Sequence, residues 1–208
     1  KNKKIIFVPE AFNEIPKFNK KFSRNKLKIY NNKKCILVYG AISYRKGLIE
    51  LLDELSKNLK FNKLFIVVAG KIEEDLYFNI INNVKFKSLI EKKRLIIFNK
   101  FISQKEEIYF FNATDYVWLG YNNLSSNSSS GVLNLSIMAE KIIIASNRGL
   151  IGDLVKKNKI GFLYNNNLKN TLEKISEVKN LSQKIKNIKK VKFRIKKNLF
   201  ENIIVSNL

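Results

Sequence analysis

Residues 125–135, SSNSSSGVLNL, place a run of small hydroxyl side chains and one glycine between the apolar stretch 116–119 and a stretch of helical character that starts at Val132. In a strand–loop–helix arrangement, the first turn of such a helix leaves backbone N–H groups unpaired. It also turns the positive end of the helix dipole into the loop, where a phosphate can be held. Serine and asparagine are equally the ordinary residues of a helix cap, so this stretch alone leaves both readings open. A second stretch, GAISYRKG at 40–47, offers Gly40, where a ligand can come close to the backbone, and the cations Arg45 and Lys46 just before a helix start. If the two loops meet, a cation from the first and the N–H groups near Ser128, Ser129, Ser130 and Gly131 converge on one diphosphate, with serine hydroxyls as further donors. Neither loop is a GxGxxG or GxxxxGK[ST] fingerprint.

For these loops to meet, the elements around them must form an open sheet. Short apolar runs at 35–39, 64–70, 94–98, 115–119, 141–145 and 161–164 have the continuous character of strands buried on both faces. Between them lie a leucine stripe over 48–59, a helix from the acidic residues 73–75 to about 92, and helices over 104–112, 131–140 and 151–157. Strands alternating with helices on short connections predict an α/β fold with right-handed crossovers, a Rossmann-like doubly wound parallel sheet flanked by helices. Ligands of such sheets bind beyond the carboxyl ends of the strands, which directs attention to the loops after Tyr39, Ala69, Phe98, Leu119 and Ala145. The expected division is 1–33 as an N-terminal strand and polar connector, 34–167 as the Rossmann-like domain, and 168–208 as basic amphipathic helices packed on it.

Composition narrows the chemistry. With 208 residues, 45% of them hydrophobic, the chain can bury a substantial core. It starts at Lys1 rather than at Met, and reads as part of something longer. One cysteine excludes an internal disulfide, and the absence of histidine removes the usual zinc sites and histidine-based triads. Cys35, inside an apolar run, reads as a buried, inert thiol. No run approaches the roughly 18 apolar residues of a membrane span; the expected location is cytoplasmic, free or held peripherally at the membrane face. The net charge of +23 points towards an anionic partner. Because the basic residues are spread along the chain and few aromatics interleave with them, nucleic acid is the weaker reading and an anionic membrane surface the stronger.

On these residues the chain resembles the C-terminal, donor-binding half of the group 1 (family 4) retaining glycosyltransferases of the GT-B fold, over residues 34–164. The 40–47 loop resembles that family's Gly-Arg…Lys-Gly loop, Ala69-Gly70 its second strand end, and 98–113 the stretch that follows. Asp115-Tyr116-Val117, Ser136-Ile137-Met138-Ala139 with 142–146, the segment 147–155 containing Asp153, and Gly161-Phe162-Leu163 match the later motifs in order. The resemblance implies a nucleotide-sugar donor without a metal, transfer of a hexose with retention, and an N-terminal half carrying the site for a glycan, lipid or other acceptor. It places Gly40, Arg45, Lys46, Ser128, Ser129, Ser130, Gly131 and Ser136 at the donor, with Lys46 on the diphosphate and Ser136 towards the ribose. The family's phosphate-binding arginine falls on Ala41, and the glutamates of its E-x7-E motif fall on Ser128 and Ser136. These departures keep open a catalytically inactive binding or scaffolding domain as the alternative, with a basic nucleic-acid-binding domain third.

Overall fold

The computed structural model describes residues 15–121 and 130–205. The strands β1 (Lys34–Tyr39), β2 (Leu64–Ala69), β3 (Leu95–Phe98), β4 (Tyr116–Leu119), β5 (Ile142–Ser146) and β6 (Gly161–Tyr164) form a six-stranded sheet in the order β3-β2-β1-β4-β5-β6. All pairings are parallel, with Tyr39 opposite Ala69 and Leu37 opposite Val117. Successive strand side chains point to opposite faces. In β1, Ile36 and Val38 enter one core, while Cys35, Leu37 and Tyr39 enter the other. Both faces are covered, which is why the strand is apolar without alternation.

Right-handed crossovers put α2 (Leu48–Lys57), α3 (Glu74–Asn82) and α4 (Val84–Glu91) on one face of the sheet, and α5 (Gln104–Ala113), α6 (Gly131–Met138) and α7 (Gly149–Asn158) on the other. The chain ends in α8 (Leu168–Glu177) and α9 (Ser182–Val205). Leu172 and Ile175 of α8 and Ile188 of α9 belong to the same buried cluster as Ile36 and Val38 of β1. The Lys34 ammonium donates to the carbonyls of Ile175 (2.9 Å), Ser176 (3.1 Å) and Val178 (2.7 Å), closing the C-terminal end of α8 with a cation, as its dipole favours.

Two segments depart from the sequence reading. The expected helix over 73–92 is α3 and α4, broken at Asn83, whose side chain accepts from Lys85 N (3.0 Å) while its own N–H caps the preceding helix. Asparagine competes for backbone partners in this way and so favours caps over helix interiors. The expected connector before β1 contains the helix α1 (Lys20–Lys26), capped by Asn19. The strand expected at 4–8 lies outside the described residues.

What holds α1 is Arg24, which is 5% exposed and has its guanidinium 5.2 Å from the Phe65 ring centroid. It donates to the carbonyls of Ala113 (2.9 Å) and Lys33 (3.1 Å) and pairs with Asp115 at 3.4 Å. Arg24→Ala is expected to destabilise the chain by about 3 kcal/mol, because it leaves buried carbonyls unpaired and removes the most buried partner of Asp115. A urea midpoint unchanged by the substitution would contradict this role. Cys35 is fully buried, and burial, with Asp115 nearby, pushes its thiol well above the usual range, so it is inert as a nucleophile.

Candidate functional site

The strand order reverses between β1 and β4, so the connections from their carboxyl ends run off in opposite directions and a crevice opens between them. Bordering it are the loop 40–47, after β1, and, after β4, the described residues Gly120, Tyr121 and Ser130. Topology therefore selects, from all the strand-end loops, the two singled out by residue type.

The first loop is held tightly. Gly40 has φ +90°, and a 3-10 turn at Tyr44–Lys46 ends on Gly47, with φ +63°. A Cβ at Gly47 would stand 2.3 Å from the Gly120 carbonyl oxygen, so the two loops touch through backbone at this point. Ile42 N–H donates to Lys71 O (2.8 Å) and Glu73 N–H to Ile42 O (2.9 Å), which binds the loop to the one after β2.

Lys46 is only 6% exposed, and its ammonium donates to the Tyr39 carbonyl. Burial, reinforced by the charge of Arg45, lowers its pKa from 10.5 to about 8. From below, the Trp118 indole N–H donates to Lys46 O (2.7 Å), and Trp118 stacks on Tyr164 with ring centroids 5.2 Å apart and planes at 11°. A Cβ at Gly40 would lie 3.3 Å from Lys46 Nζ and 3.6 Å from Val132 Cγ2, so Gly40, Lys46 and the first turn of α6 converge on one spot.

At the start of α6, Ser130 caps the helix, its Oγ accepting from Leu133 N–H (3.3 Å) and lying 3.2 Å from the Tyr121 hydroxyl. A Cβ built at Gly131 meets no described atom within 4 Å. The Arg45 guanidinium lies 5.7 Å from the Tyr121 ring centroid. Next to this spot opens a cleft of about 370 Å³, lined by Ile42, Ser43, Arg45, Lys71, Glu73 and Glu74 among others. The Ser43 hydroxyl is buried and has no hydrogen-bond partner among the described residues.

Gly40, Arg45, Lys46, Ser130 and Gly131 are thus brought to one crevice. Ser128 and Ser129 lie outside the described residues. Ser136 is fully buried, and its hydroxyl donates back to Val132 O (2.6 Å) within α6. Here α6 is enclosed between α9 and the sheet and has little solvent face. Tyr121 and Trp118 went unnoticed in the sequence because an aromatic residue at a strand end reads as core. The only available signal was Gly120 between them, where a Cβ would stand 2.0 Å from the Trp118 ring.

The fold and this crevice define a doubly wound α/β domain with buried and exposed cations facing a helix N-terminus at its topological switch point. The family model for glycosyl transferases group 1 matches residues 19–192, and the chain belongs to that family. No curated protein matches by sequence. Among solved structures, the C-terminal domain of a glycosyl transferase group 1 family protein (LpcC) from Francisella tularensis superposes with TM-score 0.61 at 19% identity, over 83% of this chain and 89% of that one. Anabaena Alr3699/HepE in complex with UDP gives TM-score 0.67 at 16% identity, over 92% of this chain and 56% of that one. Its complex with UDP-glucose gives 0.65 at 17%, with the same coverage. The chain therefore spans most of an isolated C-terminal domain and little more than half of the longer proteins.

Proposed function

We propose that this chain is the donor-binding half of a hexosyltransferase that uses a nucleotide-sugar donor and retains anomeric configuration. The observation that carries the proposal is the convergence of Gly40, the Lys46 ammonium and the first turn of α6 at the switch point. In this reading the donor diphosphate lies against Lys46 and the N–H groups at Ser130 and Gly131, with Ser128 and Ser129 adding donors from the adjoining loop and Arg45 at the rim. The nucleoside occupies the neighbouring cleft, where the carboxylates of Glu73 and Glu74 can accept from ribose hydroxyls in place of Ser136. As the bond from the sugar C1 to the diphosphate oxygen breaks, the diphosphate leaves with the electron pair. Lys46 and the helix N-terminus stabilise the charge that develops, while the acceptor hydroxyl forms the new C1–O bond and gives its proton to the departing diphosphate oxygen. The glycan, lipid or other acceptor would be presented by an N-terminal half.

The test is thermal unfolding of the chain with UDP and with GDP. At a ligand concentration about a hundred times Kd, binding adds about 2.7 kcal/mol, a rise in Tm of roughly 5–10 °C for a chain of this size. A folded chain with no shift for either nucleotide would overturn the proposal. The burial of Ser136 favours a second reading, a domain that binds the nucleotide without transferring sugar. It predicts the same thermal shift but no release of UDP from UDP-hexose when a complementary N-terminal half is supplied.

Lys46 gives the site a pH signature. A bound diphosphate favours the ammonium, so above about pH 8 binding must take up a proton, and affinity falls as pH rises, approaching about tenfold per unit. Unliganded stability has the opposite sign. Between about 8 and 10.5 the unfolded lysine holds more protons than the folded one, so the contribution of Lys46 to stability rises with pH through that window. Calorimetric titration with UDP on both sides of pH 8, in buffers of different ionisation enthalpy, checks the affinity and the proton uptake together.

A further inference from the structure

Helix α9 uses its lysines in two ways. Those facing inward make fixed bonds: Lys184 Nζ to Gly161 O (2.9 Å) and Lys192 Nζ to Met138 O (2.7 Å), on either side of the buried Ile188. Those facing outward, Lys186, Lys189 and Lys190, follow the spacing of one helical stripe and, with Arg194, which also donates to Asn158 Oδ1 (2.8 Å), surround Phe193, which is 68% exposed, in a hollow of about 530 Å³. A phenyl ring held in water among cationic heads is costly alone and favourable at an interface that takes the ring into an apolar layer and leaves the ammonium groups at anionic heads.

A second patch of the same kind lies nearby. Phe18 and Phe22 are 41% and 43% exposed, and they pack with Tyr109 at centroid distances of 5.6 and 6.1 Å, with Lys26 5.6 Å from the Phe22 ring centroid. Glu140 accepts from Lys17 (2.8 Å), next to Phe18 in the chain, and from the inward-facing Lys192 (3.3 Å) of α9. Glu140 stands just before β5, at the amino ends of the strands and away from the crevice at their carboxyl ends.

We propose that the outward stripe of α9, together with the Phe18–Phe22 patch, docks this domain on an anionic lipid bilayer, with the nucleotide crevice left open. No helix among the described residues is long and apolar enough to cross a membrane, so the attachment is to the surface. Charge complementarity favours lipid, given a net charge of +23 and four cations around one ring. Lipid is favoured over single-stranded nucleic acid because Phe18 and Tyr109 stack on each other at 27°, which leaves Phe193 rather than a row of rings for successive bases.

The test is sedimentation of the chain with vesicles of phosphatidylcholine alone and of phosphatidylcholine with phosphatidylglycerol. Binding is expected only to the anionic vesicles. It should weaken about fivefold for each lysine neutralised in Lys189→Gln and Lys190→Gln, about tenfold or more in Phe193→Ser, and further with added salt. These side chains are exposed, so far-ultraviolet circular dichroism and the thermal shift with UDP should match the unsubstituted chain; a missing UDP shift would count against the nucleotide site and not against this surface. No binding of the folded chain to anionic vesicles overturns the proposal, as does binding undiminished in all three variants. Tight binding of a single-stranded RNA oligomer, lost in the same variants while vesicles are ignored, overturns it in favour of a nucleic-acid surface.

Discussion

Lys46→Met is expected to separate binding from stability. Affinity for UDP should fall by about a hundredfold or more, since a buried cation facing a diphosphate is worth several kcal/mol when one partner is removed. The unliganded chain, in contrast, should be as stable as before or more stable. Folding holds the Lys46 ammonium in a site that is 6% exposed and lowers its pKa from 10.5 to about 8. That depression corresponds to a cost of up to about 3 kcal/mol near neutral pH, offset by about 1 kcal/mol for the lost hydrogen bond to the Tyr39 carbonyl. Methionine fills similar volume without the charge. A purely structural lysine would behave oppositely, with the variant less stable and still stabilised by UDP; that result would remove Lys46 from the site. A residue that costs stability in the free protein and repays it with a ligand is the expected mark of a functional position.

The second large effect is on the support beneath that residue. Trp118 is 2% exposed, stacks on Tyr164, and donates its indole N–H to the Lys46 carbonyl at 2.7 Å. Trp118→Ala should cost about 4 kcal/mol from the lost packing and the cavity, with a further 1 kcal/mol or more for the unpaired carbonyl. Trp118→Phe keeps one ring while removing the donor and part of the packing, so it should cost about 2–3 kcal/mol. If the indole positions Lys46, Trp118→Phe should also weaken UDP binding by more than its effect on stability predicts. Circular dichroism is the suitable probe, because Trp118 is the only tryptophan in the chain. A loss below about 1 kcal/mol in Trp118→Ala would show that the neighbourhood collapses to fill the space and that the stack is dispensable.

The two expectations draw on different kinds of information. The 40–47 loop stands out in the sequence because glycines and adjacent cations between a strand and a helix are unusual in composition and easy to see. Trp118 does not stand out, since its role depends on Tyr164 arriving from the edge strand. Arg24 is similar: within a lysine-rich stretch it resembles its neighbours, and only the fold places it under Phe65 with buried carbonyls to satisfy. Asn83 could have been read as a break between α3 and α4, but the continuing apolar spacing concealed it. Ser136 is the reverse case, a polar residue that stands out in the sequence and whose hydroxyl the fold satisfies within its own helix.

From the sequence alone came the alternation of buried strands and amphipathic helices, hence a layered α/β domain with its ligand loops at the strand ends. That information is local: a strand covered on both faces must be apolar throughout, and a helix covered on one face must carry a stripe. The tertiary structure decided the strand order, the reversal between β1 and β4, and therefore which loops share a crevice. It also decided that Lys46 is buried and that the Ser136 hydroxyl is bonded within its own helix. Both depend on pairings between residues far apart in the chain, which no periodicity along the sequence encodes.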